Sequence, residues 1–234
     1  MLVVIKKKTL VIMLVAVVAV ISVFSLGTGV SNAVSVANNQ NATVVIDAGH
    51  GGIDGGVTGV NSGIAESQIN LAIAKSLKNY LDRNGYKVVL TRENNDGLYE
   101  KGASNKKRSD MEKRRKIIEN AQPDMVVSIH QNYYPLASVS GAQVFYGASE
   151  TSGEYARVFQ AQLNANLNGN RVAKEGDYYI LNCTAYPSLI VECGFLSSPI
   201  EEQLLVKATY QKKIAYALFL AVHSILGESE HAHP

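Results

Sequence analysis

The sequence predicts an α/β fold: a single domain with a mostly parallel twisted sheet, helices on both faces, and its site at the carboxyl edge of the strands. Three observations predict it. Short β-branched or apolar runs alternate with longer runs whose apolar residues recur at helical spacing. Strands separated by helices pair in parallel, because each return connection crosses the sheet and covers it. Ionisable residues stand at or just beyond the ends of three strand-like runs, the edge where open α/β sheets assemble their sites.

The elements follow in order. Thr43–Asp47 is a short β-branched run ending in a glycine-rich turn. Ser67 to Arg83 carries Ile69, Ile73, Leu77 and Tyr80 at helical spacing, and Asn84-Gly85 supplies the stop. Tyr86–Thr91 and Met125–His130 read as buried strands, and between them Lys106 to Asn120 reads as a charged helix with few apolar positions (Met111, Ile117, Ile118). Gly141–Tyr146 is a strand, Glu150 to Leu167 a helix, Tyr178–Leu181 and Leu189–Glu192 strands, and Thr209 to Leu226 a closing helix. No internal repeat and no second domain interrupts this series.

Composition bounds the alternatives. At 234 residues and 47% hydrophobic, the chain is long and apolar enough for one large core, which excludes disorder. Two cysteines exclude a disulfide scaffold. The net charge of 22 − 20 = +2 gives no bulk argument for nucleic acid, so none is expected as a partner. The N-terminus stands apart. Lys6, Lys7 and Lys8 precede an apolar run from Thr9 to Leu26, a length of roughly 18 residues that fits a long signal-peptide core or a minimal membrane span. Ser31-Asn32-Ala33 and Ser35-Val36-Ala37 both fit a small-x-small cleavage site. The chain therefore divides into a signal or inner-membrane anchor (1–33), a linker (34–42), the catalytic domain (43–226) and a tail (227–234), with the domain working outside the cytoplasmic membrane. His231 and His233 in the tail have metal-like spacing but are given no function.

Four residues carry the chemistry. His50 closely follows Thr43–Asp47, His130 closes Met125–His130 and Glu192 closes Leu189–Glu192, so a parallel sheet brings all three to one edge. Glu66 opens the helical stripe Glu66, Ile69, Asn70, Ile73, Leu77, which turns its carboxylate inward. A buried, unpaired carboxylate is costly, and a cation would compensate it. Two histidines and one carboxylate form a catalytic zinc set with a fourth position for water. Zinc lowers that water's pKa and polarises a carbonyl, and a carboxylate outside the metal shell then moves the proton to the leaving nitrogen, a role that Glu192 fits. Each residue has a plainer reading. A strand-end histidine is often a satisfied core or surface residue, Glu66 could cap its helix, and Glu192 could pair with an arginine. The turn Gly49-His50-Gly51-Gly52 with Gly55-Gly56 could cradle a phosphate, although it lacks the Lys-Ser/Thr ending of a P-loop. Four such residues at one edge favour a zinc hydrolase.

The segments Ile46-Asp47-Ala48-Gly49-His50-Gly51-Gly52-Ile53-Asp54-Gly55-Gly56, Glu66 opening a helix, Ser128-Ile129-His130-Gln131-Asn132 and Val191-Glu192-Cys193-Gly194-Phe195-Leu196-Ser197 resemble the zinc-dependent N-acetylmuramoyl-L-alanine amidases of bacterial cell-wall metabolism. The resemblance covers essentially the whole domain, with the motifs in the family's order. It implies that His50, Glu66 and His130 bind zinc, that Glu192 is the catalytic carboxylate, and that peptidoglycan is the substrate, cut between the lactyl group of N-acetylmuramic acid and L-alanine. Ala48 stands where the family commonly has proline and Cys193 where it commonly has threonine. Glu119 precedes Asn120 where a small residue is more typical after the helix arginine, here Arg115. None of these departures removes a ligand.

The layout, with an N-terminal apolar segment, no wall-binding repeats and a polar insert from Glu93 to Asp110, is similar to the sporulation-type amidases, which act on spore cortex so that muramic-δ-lactam can form. Other classes compete: a zinc carboxypeptidase trimming stem peptides, for which no arginine can be placed on the terminal carboxylate, and a non-catalytic wall-binding protein, which usually loses a ligand. A loosely held metal would call for a stabilising or activating protein partner. The basic run of Lys106, Lys107, Arg108, Lys113, Arg114, Arg115 and Lys116 reads first as a solvated helix face and second as an attractor of the anionic wall. Tyr133, Tyr134, Tyr178 and Tyr179 could stack on sugars or simply pack, and Cys183 and Cys193 could be a disulfide or two buried thiols.

Overall fold

The alternating runs form, in the computed structural model, a six-stranded sheet with helices on both sides. Residues 42–227 are described. The order is β1 (Thr43–Ala48), α1 (Glu66–Arg83), β2 (Lys87–Leu90), α2 (Lys106–Ala121), β3 (Met125–Asn132), β4 (Gln143–Tyr146), α3 (Glu150–Leu167), β5 (Lys174–Glu175), α4 (Tyr179–Asn182), β6 (Ser188–Phe195), α5 (Pro199–Leu205) and α6 (Ala208–Leu226). The signal or anchor segment, the linker up to residue 41, and the tail beyond Gly227 with His231 and His233 lie outside the described residues. Among the described residues, no helix is long and apolar enough to cross a membrane.

The strand order is β2-β1-β3-β6-β4-β5. β1 pairs in parallel with β2 and β3, β3 with β6, and β4 with β5, while β4 runs antiparallel to β6. Side chains alternate between faces along each strand. Val44, Ile46, Met125, Val127, Leu189 and Val191 face a large core completed by α1, α3 and α6 through residues such as Ile73, Leu77, Phe159 and Leu218. Val45, Val126 and Ile190 face a smaller cluster completed by Ile118 of α2 with Ile180 and Leu181 of α4. The same alternation places Asp47, Ser128, His130 and Glu192 on the α2 side, at the carboxyl ends of three neighbouring parallel strands. The site therefore opens beneath α2.

Local chemistry sets most boundaries. Gly85 takes φ 83° directly after α1, as the Asn84-Gly85 stop predicts. Asn105 caps α2 by accepting from Arg108 N at 2.9 Å, and Pro199 begins α5 where no amide donor is needed. Some expectations change. Tyr178–Leu181, expected as a strand, is instead entered by the one-turn helix α4, which buries Ile180 and Leu181. A four-residue apolar run fits either element, and packing against β6 decides. β2, expected to be buried, is only partly so because it is the edge strand. The two-residue β5 and the short α5 carry too little periodicity to have been predicted.

Candidate metal centre

His50 lies two residues beyond β1 and takes the left-handed conformation (φ 62°), which turns the chain back across the strand ends. Glu66 is the first residue of α1, yet its side chain makes no N-terminal cap and is almost fully buried at 2% exposure. His130 and Glu192 are register partners on adjacent strands β3 and β6. His130 Nδ1 lies 3.0 Å and His50 Nε2 3.4 Å from Glu66 Oε1. One donor atom from each of the three residues falls within 4.8 Å of the others. Ligands held at the ordinary bond lengths of tetrahedral zinc are about 3.3 Å apart, so the spacing and the N,N,O donor set fit that ion. All four predicted residues thus come together.

A second layer holds these donors. Asp54 Oδ2 lies 3.0 Å from His50 Nδ1, which leaves Nε2 facing Glu66. Glu66 accepts from Val57 N at 3.0 Å, Gln131 N at 2.9 Å and Asn70 Nδ2 at 3.2 Å. Two glycines are required by close approach. A Cβ on Gly49 would stand 2.3 Å from the His130 ring, and one on Gly56 would stand 2.4 Å from Glu66 Oε2. The turn is not a phosphate cradle, because Gly51 N already donates to Asp54 O and Gly52 N to Asn95 O.

The electrostatics suit a divalent cation at these donors. Burial works against charge on His50, but Glu66 and Asp54 carry its pKa up to about 9. Burial likewise raises Glu66, yet His130 and His50 bring its carboxyl well below the ordinary range. Two carboxylates therefore hold a proton that a divalent ion would displace. Burial pushes Glu192 up to about 7, opposed by His130 and His50 and assisted by Glu66. Among the described residues, Glu192 meets no arginine, and its Oε2 is a buried oxygen with no hydrogen-bond partner. An unpartnered carboxylate oxygen beside three converging metal donors can take and return a proton.

Two arginines brace the loop that carries His50. Arg92 donates to Ala48 O, Gly49 O and Ser67 O. Arg114 ion-pairs with Asp47 and donates to Asp110 Oδ1 at 2.6 Å, Ala48 O at 2.9 Å and His50 O at 2.7 Å. Asp47 also accepts from Thr91 Oγ1 at 2.7 Å and Ser128 Oγ at 2.6 Å. This corrects the sequence reading of the basic run as a solvated face. The helix arginine that reaches the sheet is Arg114, whereas Arg115 pairs with Glu119 on the surface at 2.6 Å. The basic run is not wholly a solvated face, because Arg114 is among its members and is buried. Met111, Arg114 and Ile118 share one helical face, and that spacing could have revealed it.

A cavity of about 430 Å³ adjoins the donors, walled by Met111 and Ile180 and rimmed by Tyr99, Lys106, Tyr178 and Tyr179. Tyr178 and Tyr179 thus line the site, while Tyr133 and Tyr134 are half-exposed elsewhere. Cys183 and Cys193 are free thiols, and Cys193 is buried in the core.

Comparison with known proteins agrees with this arrangement. Residues 44–224 match the family described as N-acetylmuramoyl-L-alanine amidase. The chain is 37% identical over 186 residues to the germination-specific N-acetylmuramoyl-L-alanine amidase of Bacillus subtilis (strain 168), covering 76% of this chain and 77% of that protein. Its fold is similar to the CwlD amidase of Clostridioides difficile, solved in complex with the GerS lipoprotein, at TM-score 0.76 and 36% identity over 80% of this chain and 98% of that one. It is also similar to an N-acetylmuramoyl-L-alanine amidase of Clostridium difficile 630, at TM-score 0.73 and 29% identity over 81% of this chain and 99% of that one.

Proposed function

The chain belongs to the N-acetylmuramoyl-L-alanine amidases, which act on peptidoglycan, and on that premise we propose that it works with zinc held by His50, Glu66 and His130 and with Glu192 as its proton-transfer group. Zinc bound there supplies a polarised scissile carbonyl and a water of lowered pKa. Glu192 accepts the proton of the attacking water on Oε2 and delivers it to the alanine nitrogen as the C–N bond breaks. Burial raises the Glu192 carboxyl above the usual carboxylate range, which favours its taking up a proton in that transfer. Asp54 keeps the His50 ring turned so that Nε2 faces the metal position. The unpartnered, buried Oε2 of Glu192 is the observation that carries this reading.

The germination-specific relative and the CwlD likeness support spore cortex as the peptidoglycan attacked, with the bared muramic acid then available for muramic-δ-lactam formation. The lipoprotein bound to CwlD supports a stabilising or activating protein partner for this chain. The basic and apolar N-terminal segment supports work at the outer face of the cytoplasmic membrane, in the forespore envelope of a sporulating cell. A carboxypeptidase is disfavoured, since Arg92 and Arg114 beside the site are already engaged. The test is full-length protein with added zinc on purified peptidoglycan, products read by mass. Wild type is expected to free intact stem peptides, and Glu192→Gln to keep its zinc while losing about 10²-fold or more in rate. Release of terminal amino acids alone would overturn the amidase reading, and zinc loss in Glu192→Gln would place that residue among the ligands.

A further inference from the structure

Among the described residues, the lining of the cavity beside the candidate metal donors includes a cation that no carboxylate engages, and we propose that this residue, Lys106, selects the substrate by binding the free α-carboxylate of the γ-linked D-glutamate that follows L-alanine in the stem peptide. The inference rests on the amidase reading above.

The cavity lining carries three carboxylates, Asp47, Asp54 and Asp110, each already engaged, and besides Arg114 two cations without an ion pair among the described residues, of which Lys107 is exposed and Lys106 half-buried. Arg114 takes Asp47 and Asp110, and Asp54 pairs with His50 while Lys107 acts on it electrostatically. Lys106 has no ion pair among the described residues, and its ammonium stands 5.4 Å from the centre of the Tyr99 ring, which also lines the cavity. The insert that presents these two side chains is tied to the catalytic loop. Gly52 N donates to Asn95 O at 2.7 Å, and Leu98 N donates to Asp110 Oδ2 at 2.6 Å. A Cβ on Gly52 would meet Gly97 N at 2.6 Å, so the insert and the turn bearing His50 pack backbone to backbone. The backbone that carries Tyr99 is thereby fixed against the turn bearing His50, and Lys106 lines the same cavity.

The substrate's chemistry matches that placement. The first ionised group past the scissile amide is the α-carboxylate of the second residue, about 6–7 Å along an extended peptide. The cavity of about 430 Å³ is lined by His50 and His130 as well as Lys106, so it spans both the candidate metal donors and the proposed carboxylate contact. An ammonium partly shielded from water and facing a carboxylate forms a charge-assisted hydrogen bond, and a carboxamide in its place would lose that charge.

Two soluble muramyl peptides, identical except that the D-glutamate α-carboxyl is free or amidated, test this on the full-length protein with zinc supplied. Binding of the two corresponding L-alanyl-γ-D-glutamyl dipeptides provides a second readout. Wild type is expected to favour the free acid about five- to tenfold, expressed in KM and in dipeptide affinity. Lys106→Met should bring both ratios close to one, and Lys106→Arg should preserve them. Equal treatment of the two substrates by wild type, or an unaltered preference in Lys106→Met, would overturn the assignment while leaving the amidase reading standing. Cleavage of neither peptide at the lactyl–alanine bond, with hydrolysis elsewhere in the peptides, would sink the amidase reading, while the dipeptide affinities of wild type and Lys106→Met would still decide the Lys106 assignment.

Discussion

Arg114→Met removes the guanidinium that Asp47, Asp110, Ala48 O and His50 O share. Asp47, only 2% exposed, would then keep two hydroxyl donors, Thr91 and Ser128, and no countercharge. Breaking a buried pair in this way costs about 3–5 kcal/mol. The carboxyl itself gives an independent measure. Burial raises it, but Arg114 and the two hydroxyls bring it from 3.8 down to about 2, which corresponds to roughly 2–3 kcal/mol of stability. Because the folded-state pKa is depressed, that contribution is complete above the unfolded value of 3.8 and disappears as pH falls through about 2. In Arg114→Met, only the Thr91 and Ser128 hydroxyls and the more distant His130 still oppose burial at Asp47, so its pKa rises and the variant recovers as the carboxyl protonates. Urea unfolding of both proteins should therefore show a gap of about 3–5 kcal/mol at neutral pH that narrows towards acid. The double variant Arg114→Met/Asp47→Asn should regain part of the loss, since no charge is left stranded. A neutral-pH gap below about 1 kcal/mol, or a gap unchanged on acidification, would refute the reasoning.

Two more outcomes concern the metal site. Glu66→Ala removes one of three protein donors and should weaken zinc binding by more than the roughly 10–100-fold that losing an outer-layer partner costs; unchanged metal content in a competition with a chelator would remove Glu66 from the ligand set. Gly49→Ala places a Cβ 2.3 Å from the His130 ring and should lower both zinc affinity and turnover, whereas Gly102→Ala, whose Cβ meets nothing within 4 Å, should alter neither; similar behaviour of the two alanine variants would show that the His130 position tolerates displacement.

The legible part of this protein is what local pattern encodes. Ile69, Ile73 and Leu77 at helical spacing mark α1, Asn84-Gly85 marks its end, and the β-branched run before His50 marks β1. Once these elements alternate, the rule that parallel strands share one carboxyl edge brings His50, His130 and Glu192 together without any coordinates. Other features had no local signature. The run at Tyr178–Leu181 became a helical turn because Ile180 and Leu181 fill space beside Ile190, and nothing in its four residues distinguishes that from a strand. Arg114 and Arg115 are neighbours of identical chemistry, yet one is buried against Asp47 and the other pairs with Glu119 on the surface. The helical phase of α2 separates them, and so does a partner 67 positions away. The sequence by itself indicated most of the element order, the shared edge and the candidate donors His50, Glu66 and His130, because these follow from short-range periodicity and strand direction. Only the tertiary structure decided which charges are matched and that, among the described residues, Glu192 keeps an oxygen without a partner and Lys106 lines the cavity without an ion pair, because those depend on which atoms meet across the packed interior.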